Sequence, residues 1–139
     1  MRVLFITQKI DQQDDVLGIY HHWISELAFK VDSISAVCLF KGSVDLPNNV
    51  RVYSLVKEEK LGRWAYLKNF FRYIWILRKD YDVVFVHMNP EYVILGGLIW
   101  RLLGKKIILW YAHYLANWRI RLAEWLANSV VASTARAFP

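Results

Sequence analysis

Cysteine is nearly absent from this chain: among 139 residues there is one, Cys38. A disulfide framework is therefore excluded. Cys38 sits in the apolar run AVCLF and reads as a buried core residue of a protein kept in a reducing compartment. Metal-ligand spacings are missing too. No C-x2-C or H-x3-H pair occurs, and the adjacent His21 and His22 diverge on a helix, so no metal is expected. G-x-S-x-G is absent, which removes the nucleophile elbow of a Ser-His-Asp hydrolase. No apolar run reaches the roughly 18 residues that a membrane-crossing helix needs. The opening MRVLFITQKI lacks the long apolar core and cleavage site of a signal peptide. Together these absences predict a cytoplasmic protein.

What is present is enough apolar material for a core. Hydrophobic residues make up 56% and aromatic residues 16%, which excludes disorder. The length suits one domain. Seven tryptophans suggest that some of this surface covers another, because Trp is favoured where one side is apolar and the other wet. Charge is uneven. Residues 1–59 hold 6 Lys/Arg and 8 Asp/Glu, net −2, and residues 60–139 hold 12 and 4, net +8. A basic half predicts an anionic partner: phosphate, nucleic acid or lipid headgroups.

Strand-like and helix-like segments alternate. VLFIT opens the first strand, and DQQDD (11–15) is a polar loop. Residues 16–30 read as a helix, with Ile19, Trp23, Ile24 and Leu27 at helical spacing. SISAVCLF and VRVYSLV are strands separated by the loop KGSVDLPNN. A long helix is predicted over Lys60 to Asp80. YDVVFVHM is a fourth strand, and a helix follows from Pro90 to Gly104. KKIILWYAH is a fifth strand, running to His113. Asn117 N-caps a last helix, and VVAST begins a sixth strand. The strands are continuous apolar runs, as in parallel sheets buried on both faces. The predicted fold is α/β: a doubly wound, mainly parallel sheet of about six strands, with helices on both faces.

In such sheets ligands bind at the carboxyl ends of the strands, so the polar residues there are the candidates. The loop after the first strand lacks G-x-G-x-x-G and offers only Gly18, with Asp14 and Asp15 before it. Two carboxylates disfavour a phosphate. They suit the hydroxyls of a sugar or polyol, or else they cap the helix. His87 and His113 each end a strand and can donate and accept hydrogen bonds. They either face a ligand or are satisfied core histidines. Asn89 and Glu91 follow at a helix start, where Glu91 also favours the helix dipole. Gly96 and Gly97 cost roughly 1 kcal/mol each in helix propensity, and close helix–sheet packing is the expected compensation.

On the 60–80 helix, Leu67, Phe70, Phe71, Ile74 and Leu77 share the face expected to dock on the sheet. Lys68, Arg72 and Lys79 form a stripe opposite, bordered by Trp64 and Trp75 on one side and Tyr66 and Tyr73 on the other. That pattern suits a helix lying on an anionic membrane, or simply a solvated face. No RNP or helix-turn-helix signature appears, so nucleic acid is not expected.

The order of elements, the strand YDVVFVHMNP with its D-V-V-x-x-H pattern, the strand KKIILWYAH and the terminal VVASTARAFP resemble the N-terminal domain of GT-B glycosyltransferases of the retaining family 4 group. The resemblance covers essentially the whole chain. It implies a Rossmann-like acceptor-binding domain at residues 1–139, serving transfer of a hexose from a nucleotide sugar to an acceptor, with lipid-linked acceptors among those the family uses. By position, His113 matches the histidine near the transferred sugar, the catalytic candidate. Gly18 lies in the loop that touches donor phosphate or acceptor, where the family usually has a glycine pair. The donor site, with its Glu-(seven residues)-Glu motif, belongs to a C-terminal domain with no counterpart in these residues. The resemblance thus implies no resident cofactor, a donor domain as partner, and no turnover by this domain alone. Basic, aromatic surfaces in the family reach membranes, which fits a peripheral position on the inner face of the plasma membrane. Cleft residues Trp110, Tyr114 and Trp118 are expected to be bare, so self-association is also expected. The other reading is a non-catalytic module of the same fold, docking to a membrane or partner protein.

Overall fold

A computed structural model describes residues 1–113 and 117–133, apart from the side chain of Glu58. Six strands are present: β1 (Arg2–Ile10), β2 (Ser33–Lys41), β3 (Val50–Ser54), β4 (Val83–His87), β5 (Lys106–Trp110) and β6 (Ser129–Val131). Four α-helices connect them: α1 (Gly18–Ala28), α2 (Arg63–Ile76), α3 (Pro90–Leu102) and α4 (Trp118–Leu126). The strands form one sheet in the order β3-β2-β1-β4-β5-β6, and every pairing is parallel. The fold is the Rossmann-like α/β arrangement that the continuous apolar strands predicted.

Strand residues alternate between two faces. Leu4, Ile6, Val84, Val86, Ile107 and Leu109 point to the side carrying α2, α3 and α4, where Phe70, Ile74, Trp100, Ile120 and Leu126 meet them. Val3, Phe5, Ile34, Ala36 and Cys38 point the other way and pack under α1 through Ile24 and Ala28. Burying each such large side chain contributes roughly 1.5–3 kcal/mol. Cys38 is fully buried, as its apolar run implied.

The β2–β3 connection has no helix, so residues 42–49 help to cover the α1 side, with Val44 and Leu46 against that core. Asp11 ties this loop down by accepting from the Ser43 and Gln13 amides. Glycine is required at position 42, because a Cβ there would collide with the Asp11 carboxylate.

Three expectations are corrected. The helix expected over residues 60–80 is shorter. A 3₁₀ turn (Lys57–Glu59) precedes it, Gly62 at φ 86° breaks the path, and α2 ends at Ile76. The strand expected to reach His113 stops at Trp110. The Met88 amide makes the last bond from that side, to the Trp110 carbonyl; the chain then turns away at Met88 (φ 63°), and the Tyr111 amide bonds the Val131 carbonyl of β6. The glycine pair in α3 packs against side chains rather than the sheet. A Cβ on Gly96 would strike the Trp100 ring, and one on Gly97 would stand 3.1 Å from Leu126 of α4. Trp100 is thereby buried completely, its Nε1–H donating to Tyr81 Oη, which donates to the Ile74 carbonyl.

Candidate functional site

The sheet winds outward from β1 to β3 in one direction and from β4 to β6 in the other. The junction of β1 and β4 is the topological switch point, where open α/β sheets bind ligands at the strands' carboxyl ends. Thr7 and His87 occupy that place, two residues brought together across 80 positions of chain.

His87 is 2% exposed. Thr7 Oγ1 lies 3.2 Å from its Nδ1. Its Nε2 is buried and has no hydrogen-bond partner among the described residues. Leaving such an atom unpaired costs roughly 1–3 kcal/mol, so it calls for an explanation. Burial holds the imidazole pKa down at about 4, so the ring is neutral at pH 7. Trp110, its register partner on β5, stacks on it with centroids 4.9 Å apart. From α1, Tyr20 lies at 4.0 Å and Trp23 meets it edge-on at 6.1 Å. Neutral hydrogen-bonding atoms inside aromatic walls suit an uncharged, hydroxyl-bearing ligand.

The backbone here is strained. Met88 has φ 63° and Asn89 N–H bonds back to the His87 carbonyl, a tight reversal directly after β4. Val56 (φ 63°) and Lys60 (φ 54°) are the other described non-glycine residues with left-handed backbone, both beyond β3. All three therefore lie in loops leaving the carboxyl edge. Each costs roughly 1–2 kcal/mol, and such strain concentrates at functional sites.

Two small cavities run along this edge. One of about 100 Å³ is lined by Thr7, Tyr20, His87, Met88 and Asn89. The other, about 210 Å³, lies between Phe40 and Lys57, and the two share Gln8, Lys9 and Leu17. A cavity of about 390 Å³ at the opposite edge has Arg2 already paired with Asp82, and no orphaned buried atom.

The other sequence candidates are placed as follows. Asp14 is engaged structurally. It accepts from the Val16 and Leu17 amides and from Lys9 Nζ at 2.5 Å. The Leu17 amide first, then Lys9, hold its carboxyl down at about 2. It thus caps the turn before α1, while the residue at the N-cap position, Leu17, supplies no side-chain bond. Asp15 is exposed. Gly18 begins α1, and a Cβ there would press on the Gln12 carbonyl at 3.3 Å. Asn89 joins the His87 cavity, and Glu91 sits in the first turn of α3, 3.6 Å from Arg119. His113 is exposed beyond β5, edge-on to Tyr111 at 5.6 Å, and does not line the His87 cavity. His21 is buried and satisfied, accepting from the Asp45 amide at 3.1 Å. Among the described residues no three His, Cys, Asp or Glu side chains gather to hold a metal.

On α2, Lys68 and Arg72 are exposed, with Trp64 at 85% and Trp75 at 53%. Lys79 lies past the helix end. The tyrosine border turned inward: Tyr66 and Tyr73 pack on the core, because the docking face centres on Phe70 and Ile74 and the tyrosines flank it. Phe71, placed in that face from the sequence, is instead partly exposed. Of the aromatics expected to be bare, Trp118 is, Trp110 is half-buried against His87 and Trp23, and Tyr114 lies outside the described residues. The sequence reading missed Thr7, Lys9, Tyr20 and the site-lining role of Trp110. The one signal available was a polar threonine ending the apolar run of the first strand.

Solved structures share this arrangement. Anabaena HepE in complex with UDP matches 99% of this chain over 39% of its own, with TM-score 0.62 and 14% identity. Acinetobacter baumannii MurG matches 100% over 43%, with TM-score 0.61 and 17% identity. The UDP-GlcNAc 2-epimerase from Methanocaldococcus jannaschii matches 99% over 40%, with TM-score 0.62 and 16% identity. At these identities the likeness shows the fold, a GT-B-like Rossmann domain. The chain spans about two fifths of the length of those proteins. No family model and no curated protein matches it.

Proposed function

We propose that residues 1–139 form the acceptor-binding domain of a retaining GT-B glycosyltransferase, which moves a hexose from a nucleotide sugar to an acceptor. The observation that carries this reading is His87: a neutral, buried imidazole with a free Nε2, walled by aromatic rings at the switch point. Such a group hydrogen-bonds a hydroxyl and does not attract a bare phosphate. The reading draws support from the neighbours: HepE has been solved with UDP and with UDP-glucose, and the epimerase is named for UDP-GlcNAc. On this reading the donor sits mainly on a second, donor-binding domain, and this domain alone does not turn over. Asn89 and Glu91 shape the acceptor pocket, and Asp14 and Gly18 hold the loop beside it. His113, exposed past β5, faces the transferred sugar across the cleft.

Two measurements test this. In the enzyme that carries the donor domain, His113→Ala should lower turnover roughly hundredfold or more at unchanged thermal stability. Unchanged turnover would remove its role. For the binding half, sugars titrated into the 139-residue chain should move the Thr7, His87 and Trp110 NMR signals. If those signals stay still while resonances at the opposite edge move, the site is misplaced.

A second reading, a docking module at an anionic membrane, is favoured by Trp64 and Trp75 beside Lys68 and Arg72 on the outer face of α2. It is compatible with the first and fits a peripheral place on the inner membrane face. No described helix is long and apolar enough to cross a membrane. Flotation with anionic vesicles is the check: Lys68, Arg72 and Lys79 changed to Glu should abolish it, and retained flotation would end the idea.

A further inference from the structure

An apolar trough of about 400 Å³ runs between α2 and α3, four times the volume of the His87 cavity. Leu39 and Leu55 come from the sheet side, Leu67 and Phe70 from α2, and Tyr92 and Leu95 from α3. Its polar lining is confined to Arg63, Asn89 and Glu91, beside the ring hydroxyls of Tyr66 and Tyr92. Arg63 opens α2 and Glu91 stands in the first turn of α3, and both helices begin at the carboxyl edge. The charged mouth therefore faces the site while the apolar part runs away from it. Asn89 lines both the trough and the His87 cavity, so the two adjoin at that residue.

The charges at the mouth are not balanced. Glu91 lies 3.6 Å from Arg119. Arg63 has no ion-pair partner among the described residues, which leaves one spare cation. The geometry points to an amphiphile with an anionic head at Arg63 and Asn89 and an apolar chain in the trough between α2 and α3. This deepens the acceptor reading, on which it rests only for the ligand's role: the acceptor's apolar tail is held by a cleft within the domain, rather than left in a bilayer under α2.

The test uses the 139-residue chain and a series of alkyl phosphates (hexyl, octyl and decyl), each below its micelle concentration, with binding followed by calorimetry. Affinity should rise roughly fourfold per added methylene until the trough is full. Leu95→Trp or Leu67→Trp, which fills the trough from either wall, should erase that chain-length dependence with the melting temperature retained. Arg63→Glu should weaken alkyl phosphates at least tenfold and leave octyl glucoside binding unchanged. Affinity that ignores chain length in the unaltered chain would overturn the proposal, without calling on any variant to fold. So would binding only to anionic vesicles and never to monomeric alkyl phosphate, because that places the contact on the surface of α2. A concentration-dependent dimer abolished by Leu95→Trp would overturn it as well, because a second copy would then occupy the trough. His87→Phe separates this proposal from the acceptor reading. It should remove the sugar response and spare the alkyl phosphate slope, whereas a lost slope with an intact sugar response would sink the trough alone.

Discussion

The two edges of the sheet are built differently. At the amino edge the charged and polar groups are largely engaged. The N-terminus meets Asp32, and Arg2 bonds Asp82 and the Lys79 carbonyl. Asn49 donates to the Ala28, Val31 and Asp32 carbonyls. At the carboxyl edge lie the three strained non-glycine residues, the orphaned His87 nitrogen and a run of cavities. One edge is arranged for stability. The other retains unfavourable terms, a division that functional sites often show.

Four measurements would break or sharpen this contrast. The largest effect should come from acid. The folded pKa of His87, about 4, is below the 6.5 of a free imidazole, so the unfolded chain takes up the proton first. Stability from this group is complete above pH 6.5 and drains away as pH falls to 4, by up to about 3 kcal/mol. Urea midpoints across that range should show the loss, and His87→Phe should flatten it. An equal slope in the variant would put the acid sensitivity elsewhere. Asp14, held near 2, adds its own loss only below about pH 4.

Next, His87→Phe at pH 7 should raise stability by about 1–2 kcal/mol, since it removes a buried unpaired nitrogen and keeps a ring among rings. The same variant should lose the sugar response. A destabilised variant would mean that the Thr7 bond outweighs the orphan. At the other edge, Asn49→Ala should cost about 1 kcal/mol and leave that response intact. The smallest effect belongs to Asp82→Ala. Its pair with Arg2 is half exposed, so the loss should stay below about 1 kcal/mol in thermal melts. A much larger loss would show that the amino edge is less redundant than its hydrogen bonds suggest.

Much of the fold was legible because its signals are local. Asn117 caps α4 by accepting from the Ile120 amide at 3.1 Å, and Pro90 opens α3, as their types imply. The site was only half legible. His87 ends a strand in the sequence and in the structure. Its walls come from α1 and β5, and its hydrogen-bond partner from β1, so nothing within ten residues of His87 announces them. The end of β5 was hidden for the same reason. KKIILWYAH is uniformly strand-like, and the strand stops where its neighbour's bonding stops, not where its composition changes. The tyrosines of α2 were misplaced because a helical wheel gives angles and not the direction of the sheet.

The parallel order also bears on how the chain is made. β1 is central, yet its neighbour β4 is separated from it by 80 residues, as Val3 paired with Val83 shows. At synthesis rates of roughly 5–20 residues per second, β1 waits about 4–16 s for that partner. Throughout that interval the apolar VLFIT segment has an unpaired side, a hazard for edge-to-edge association. Thr7 and His87 meet only when that gap closes. The candidate site therefore cannot exist on a nascent chain before β4 has been made.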